Sequence, residues 1–581
     1  MRYLLEFPEP HNQQFRVTAF LRSNGKKEME IFISKWRPGR YELADYASLI
    51  SQVGVTNEKG NTLPFRKTGT HSWLVESEGS DEVVFQYDFY ANRIDAGSSF
   101  LDPNLVYVNG INLLVFSPEL IHEEASLECN FPPDFRVACS LPFSNGCFRA
   151  PDFHDLADSP ILASPNLVQH SFPIGGIKFH VWFRSDCEIN PETLTKNFPS
   201  FLKTQINMFG DCPVSEFHFL FILTESAFYH GVEHHASTAI VIGPCGELAD
   251  ESSLIYREFL GISSHEFFHT WNVKAIRPLE LLPYDYQKEN FTGLHYVTEG
   301  ITTYYGDLML LRSGTWDLDE WMSVFNDSNL ARLYRGEGWK HMSLEQASFE
   351  SWNTGYREGV PNRKISFYTK GAVVAFMLDI KIRSHSGEKF SLDDVMRELY
   401  QSFARQQRGY TAADFKQLCE KFAGRSLQSF FDEYISGTKD VRTELREMSD
   451  LLGLKTGEKG FDQWSLTSAG YQTAGGALNP VVIFVWEGSP AEKSGLRKDD
   501  QILEINHRSA AEFQFGKIEF DEEKEICLNC ISRGIFAERR ISIDENWRGT
   551  YPALLANPAA NGEKLERRKN WISQVTKPIL I

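Results

Sequence analysis

His265 and His269 stand four residues apart with Glu266 behind the first, in the run His-Glu-Phe-Phe-His, inside a stretch from Glu258 to Trp271 whose apolar residues recur at helical spacing. On a helix, positions four apart share a face, so two imidazoles can hold one Zn²⁺ while the Glu266 carboxylate reaches a water beside it. A tetrahedral catalytic zinc needs a third protein ligand and an open position. Glu299 offers that ligand from the helix-like run Tyr296 to Asp307, 30 positions after His269; Glu280, Asp285 and Glu289 compete with it. The stretch between, residues 272–295, holds Pro278 and Pro283 and reads as a surface loop. One zinc ion in a His₂Glu set, with Glu266 as general base, is equipment for hydrolysing an amide.

The chain has 581 residues, too many for one core, and 42% of them are hydrophobic, ample for burial in several domains. Residues 1 to about 170 alternate apolar and polar side chains over short segments, as in Phe15 to Leu21, Glu28 to Ile33 and Glu82 to Phe89, which predicts an all-β domain. Ile177 to Phe183 and Phe217 to Leu223 read as strands, and Ala239 to Gly243 as another. Helical patterns dominate from there to about 445: Asn190 to Phe209, Leu254 to Trp271, Thr298 to Arg312, Thr369 to Arg383, Leu392 to Gln406 and Ala412 to Phe422. Beyond 455, Val481 to Asn506 reads as a strand, a Ser-Pro-Ala-capped short helix ended by Gly495, and a second strand. A net charge of −19 argues against nucleic acid and anionic membrane as main partners. No leader-like start and no apolar run of about 18 residues is visible, so a cytoplasmic protein is expected. Nine scattered cysteines suit reduced thiols, and Cys527 with Cys530 read as structural residues of one strand.

The residues around the histidines carry a more specific likeness. His265 to Pro278, Pro283 to Tyr286 and Thr298 to Asp307, with the earlier Trp36-Arg-Pro-Gly-Arg-Tyr41 and Asp45-Tyr46, resemble the glycyl aminopeptidase family of gluzincin metallopeptidases with a C-terminal PDZ domain. The resemblance implies a long spacer between the histidines and their glutamate, which favours Glu299 over its competitors. Tyr229 to Thr238 resembles the cleft-lining strand of such aminopeptidases, and this implies that Gly231 and Glu233 receive the substrate's free α-amine; the family usually has Gly where His230 stands. Phe367-Tyr-Thr-Lys-Gly-Ala372 resembles the Tyr-x-Lys-Gly element whose tyrosine donates to the oxyanion, here Tyr368. Val481 to Asn506 resembles a PDZ domain, with Gly470-Tyr471 or Gly475 to Leu478 as its carboxylate loop and a peptide or protein C-terminus as partner. His234 and His235 are read as structural, and Asp307 as a second-layer partner for the zinc histidines.

The expected architecture is multidomain α+β: a β-rich N-terminal domain over 1–172, a thermolysin-like, mostly helical catalytic domain over 173–448, a PDZ domain over 455–545 and a tail over 546–581 that docks through Trp571, Ile572 and Val575. The expected activity is hydrolysis of the N-terminal peptide bond of peptides, with Gly or Ala preferred as the resemblance implies. An endopeptidase of the same fold and an inactive PDZ scaffold are the alternatives.

Overall fold

The computed structural model describes every residue except 355, 358, 476–479, 513–523 and 574–581. The alternating N-terminal segments build a seven-stranded sheet whose central strands are Arg2–Glu6, Gln14–Arg22 and Glu82–Tyr90. Phe15, Val17, Ala19 and Leu21 point inward from one strand and are fully buried, as a period of two requires. A four-stranded and a three-stranded sheet complete this region.

The catalytic region opens on a mixed sheet of β1 (Val168–Ile174), β2 (Ile177–Ser185), β3 (Glu216–Leu223), β4 (Phe228–Glu233) and β5 (Ser237–Gly243), in the order β1-β2-β3-β5-β4. β4 is therefore an edge strand, paired antiparallel with β5 on one side. The expected single helix from Asn190 to Phe209 is two, Pro191–Thr195 and Phe198–Phe209, because Pro199 has no N–H to give the Thr195 carbonyl four residues back and fits only the first turn of a new helix.

Helices α1 (Leu254–Phe268), α2 (Thr302–Arg312) and α3 (Thr369–Ser386) carry the chemistry-bearing residues. Ser253 caps α1 by accepting from the Tyr256 N–H. The run before α2 departs from the regular helix read from its sequence: Tyr296–Ile301 is a widened π-turn that continues into α2. α3 crosses this turn at two glycines. A Cβ on Gly300 would lie 2.6 Å from the Gly371 Cα, so nothing larger fits on either side.

The C-terminal unit is a sheet in the order Tyr471–Ala474, Val481–Val485, Gln501–Ile505, Glu525–Ser532, Ile535–Ser542, with the short helix Pro490–Lys493 capped by Ser489. Val482, Ile502, Ile526 and Leu528 fill its core. Gly470 ends a turn at φ 83, whereas Gly476 to Leu478 of the other loop reading lie outside the described residues. Cys527 and Cys530 sit on one strand as free thiols. The chain then returns to the catalytic region. Thr550–Ala556 pairs antiparallel with Leu454–Gly460, and the helix Gly562–Ser573 docks by Trp571. Trp571 is fully buried against Trp321 and Phe376, and its indole N–H donates to the Tyr304 hydroxyl at 2.9 Å. Ile572 packs beside it, and Val575 lies outside the described residues.

One correction concerns cysteine. Cys187 and Cys245 form a disulfide with Cα atoms 6.4 Å apart, so the reading of nine reduced thiols does not hold at this pair; parity and scatter in sequence say nothing about which two thiols the fold brings together. No helix among the described residues is long and apolar enough to cross a membrane.

The N-terminal and catalytic regions meet through aromatic packing and one buried ion pair. Trp36 sets its ring edge-on to Tyr284 and Trp352, with centroids 5.5 and 5.2 Å away. Asp158 accepts from the Lys274 ammonium at 2.8–2.9 Å and lies 3.0 Å from His234 Nδ1. Burial alone would raise the Asp158 carboxyl, but Lys274 and His234 outweigh it and hold it well below the carboxylate range. Asp158→Asn leaves a buried ammonium without its partner and is expected to cost about 3–5 kcal/mol at neutral pH. A carboxylate with a depressed folded value stabilises above its unfolded value of about 4 and loses that contribution as pH falls further. The stability gap between wild type and variant, read from urea unfolding, should therefore close below about pH 4.

Candidate active site

His265 and Glu266 lie in the last turn of α1 and His269 is its C-cap, so one helix end delivers all three to the cleft. The two Nε2 atoms are 3.1 Å apart, and Glu299 Oε2 lies 3.4 Å from that of His269 and 3.9 Å from that of His265. The ligand atoms of this trio all fall within 4.8 Å of one another. Glu280 and Asp285 are engaged with Thr292 and with Gln287 and Lys288, and neither they nor Glu289 joins the cluster.

The tautomer of His269 is set by its other nitrogen. Nδ1–H donates to the Asn272 carbonyl at 2.6 Å, which leaves the Nε2 lone pair facing His265 and Glu299. The Asn272 side chain reaches the other ligand-bearing element: its amide donates to the Val297 carbonyl at 2.8 Å and to the Thr302 hydroxyl at 3.0 Å. One buried asparagine thus ties the end of α1 to the widened turn that carries Glu299. Asp307, expected to serve these histidines, instead lines the cleft wall, where burial pushes it up to about 7 against Arg257. The ring nitrogen of His269 that points away from the cluster is served by Asn272 instead.

Three carboxylates converge on one cavity. The cleft holds about 530 Å³ and is lined by Glu233, Glu266 and Glu299 with both histidines, Tyr229, Gly231 and Tyr368. Burial pushes Glu266 up to about 8; His269 opposes the shift, and Glu233 and Glu299 reinforce it. Burial likewise raises Glu299, against His269 and a hydrogen bond from Tyr368. Burial would lower His269, yet Glu299 and Glu233 carry it up to about 10. Glu233 Oε1 and Glu266 Oε2 are buried without a protein partner. Mutually repelling carboxylates, two imidazole nitrogens in contact and two unpartnered oxygens form a donor set that fits a divalent cation and, separately, a substrate ammonium.

β4 places Gly231 and Glu233 along this cavity. A Cβ at Gly231 would lie 2.2 Å from Glu266 Oε1, so only glycine lets the strand pass the carboxylate. Glu233 meets the N-terminal region: a Cβ on Gly39, at φ 78, would lie 2.4 Å from its Oε2. Two residues on, Tyr41 stacks on His295 at 3.7 Å. Arg37 contacts the ring of His230 at 3.2 Å; burial and that guanidinium push His230 down to about 4. His234 is held by Asp158, and His235 donates its backbone N–H there. The stretch Trp36 to Tyr41 served only as a family likeness in the sequence, although its glycine between arginines was the available mark of a tight loop beside a buried group. Tyr356, whose hydroxyl is 3.3 Å from that of Tyr368, carried no such signal.

With this geometry in place, likeness to known proteins can be weighed. A model of the M61 glycyl aminopeptidase matches residues 258–374, a model of the peptidase M61 N-terminal domain matches 2–165, and a PDZ domain model matches 459–518. A search of curated proteins finds no match. Among solved structures, an aminopeptidase N family protein from Idiomarina loihiensis superposes with a TM-score of 0.90 at 23% identity, covering 99% of this chain and 100% of its own. An M1 zinc metallopeptidase from Deinococcus radiodurans reaches 0.44 at 12% identity over 77% of this chain and 92% of its own. The first of these shares the whole arrangement of sheets and helices. Because the matched segments hold the two histidines, Glu266, Glu299 and Tyr368 together with the N-terminal and PDZ regions that flank them, the chain belongs to the M61 glycyl aminopeptidase family and is a metallo-aminopeptidase.

Proposed function

We propose that this protein is a zinc-dependent aminopeptidase that hydrolyses the N-terminal bond of peptides and prefers small first residues, Gly or Ala. The observation that carries the reading is the spacing along β4. Gly231 lies against Glu266, and Glu233, two residues and about 6.6 Å further along the strand, presents an unpartnered buried oxygen. An ammonium held at Glu233 brings the first peptide bond, and no later one, to Glu266. The Gly39 loop closes the cleft beyond that point, which suits an exopeptidase and obstructs a chain that would run through. The preference for Gly or Ala rests on the family match.

His265, His269 and Glu299 would hold one Zn²⁺, which when bound acidifies a water and polarises the scissile carbonyl. Glu266 takes a proton from the attacking water and delivers it to the leaving amine. Tyr368 donates its O–H to the oxygen of the former carbonyl, where negative charge develops. Glu233 pairs with the α-ammonium and fixes the register. The unpaired edge of β4 supplies backbone groups for the substrate to align against, antiparallel to the strand, because its N-terminus sits at the strand's C-terminal end. The PDZ domain offers a second place for an extended peptide terminus.

Glu266→Gln should retain stoichiometric zinc and lose about a thousandfold in kcat/KM on alanine arylamides. Chelation should abolish wild-type activity and zinc restore it; zinc bound without turnover in the wild type would leave only the scaffold reading. Glu233→Gln is expected to lose about 10- to 100-fold in kcat/KM on free peptides, and N-acetylated peptides should resist the wild type. Cleavage of blocked peptides at the rate of free ones would make the protein an endopeptidase. Asn272→Ala should weaken zinc binding about 10- to 100-fold, measured by competition with a chromogenic chelator.

A further inference from the structure

Tyr356 has no role in the scheme above, yet its hydroxyl is 3.3 Å from that of Tyr368 and 3.4 Å from the Gly39 carbonyl oxygen. The Arg40 guanidinium lies over its ring, 5.3 Å from the centroid. Each phenol has one proton to give. Tyr368 lines the same cleft as Glu299 and must give its proton to the oxyanion during reaction. Its oxygen is then best served by a donor from another group, and Tyr356, whose one proton can turn from the Gly39 carbonyl to the Tyr368 oxygen, is the hydroxyl at that distance. A hydrogen bond donated into the Tyr368 oxygen points that phenol's proton away from Tyr356 and polarises it.

Described residues on either side of Tyr356 in the chain are held by three neighbours. Trp352 is anchored on Trp36 of the N-terminal region, and Tyr368 leads into α3. Between them, Asn362 donates to the Val485 carbonyl of the PDZ domain at 3.0 Å, and Arg363 pairs with Glu487. Nearby, the Trp486 indole donates to Glu337 at 3.0 Å and Arg335 to Gln472 at 3.2 Å, so the PDZ domain sits on the catalytic region at this place.

We propose that Tyr356 is a positioning residue for Tyr368, its O–H donating into the Tyr368 oxygen so that the proton of Tyr368 is directed at the oxyanion, and that PDZ docking at Asn362 and Arg363 holds it there. The inference rests on the aminopeptidase reading. It gives the PDZ domain a task at the reacting atoms that requires no ligand of its own. Substitution to phenylalanine removes the hydroxyl and keeps the ring over Arg40, so folding is preserved.

The experiment uses the full-length, zinc-loaded chain with alanine arylamide as substrate and a phosphinic dipeptide as tetrahedral mimic. Tyr356→Phe should lose about 10-fold or more in kcat with KM within twofold, and its affinity for the phosphinic dipeptide should fall in parallel while inhibition by free alanine stays constant. Asn362→Ala combined with Arg363→Met should lower kcat in the wild type and add nothing in the Tyr356→Phe background. An unchanged kcat in Tyr356→Phe, or a change confined to KM, overturns the positioning role. Independent, multiplying losses overturn the PDZ link. A wild type that turns over no substrate sinks the aminopeptidase reading along with this one; an active wild type beside an equally active Tyr356→Phe sinks this inference alone.

Discussion

Two imidazole nitrogens 3.1 Å apart with a carboxylate beside them need the surrounding fold to hold them together. They persist because the backbone over-determines them, and Asn272 is where that happens. Its carbonyl takes the Nδ1 proton of His269, and its side chain occupies groups of the widened turn, so the same residue orients one ligand and stations the next. The widened turn in turn depends on contact between Gly300 and Gly371, which sets α3, and with it Tyr368, against Glu299. Four functional groups on three elements therefore share one mechanical origin.

The electrostatics follow from this geometry. Glu233 raises the cost of charge on Glu266 and on Glu299, in a cavity where burial already pushes both of those carboxyls up. No hydrophobic repacking could relieve this without losing the site, because the oxygens of Glu233 and Glu266 have no protein partner to retreat to. The fold stores an imbalance of charge that two kinds of cation can relieve, one bound through imidazole and carboxylate and one through a single carboxylate.

Much of this was legible in the sequence where the signal is local. The four-residue interval from His265 to His269 encodes a shared helix face regardless of the rest of the chain, and the alternation in Gln14–Arg22 and Glu82–Tyr90 encodes strands. Three features were not legible, each for a physical reason. The widened turn at Tyr296–Ile301 is buried throughout, so its side chains show the same apolar pattern as a regular helix. Asn272 looked like one loop residue among many, since its role lies in contacts 25 to 30 positions ahead. Gly39 and Tyr356 reach the site from nearly 200 positions before Glu233 and more than 100 after it, and no periodicity spans such intervals. Glu299 was distinguishable from Glu280 and Asp285 by resemblance alone, because spacing limits a ligand's reach and does not choose among acids in a loop.

The docking of Trp571 reaches the helix that follows Glu299. That indole fills a gap between Trp321 and Phe376 and bonds Tyr304, two residues into the helix that leads directly from Glu299. Arg312, at the far end of that helix, donates to the Trp571 carbonyl. The layer beneath that helix is therefore completed by a side chain 267 positions further along the chain, so the footing of the element that follows Glu299 is shared between two distant parts of the sequence.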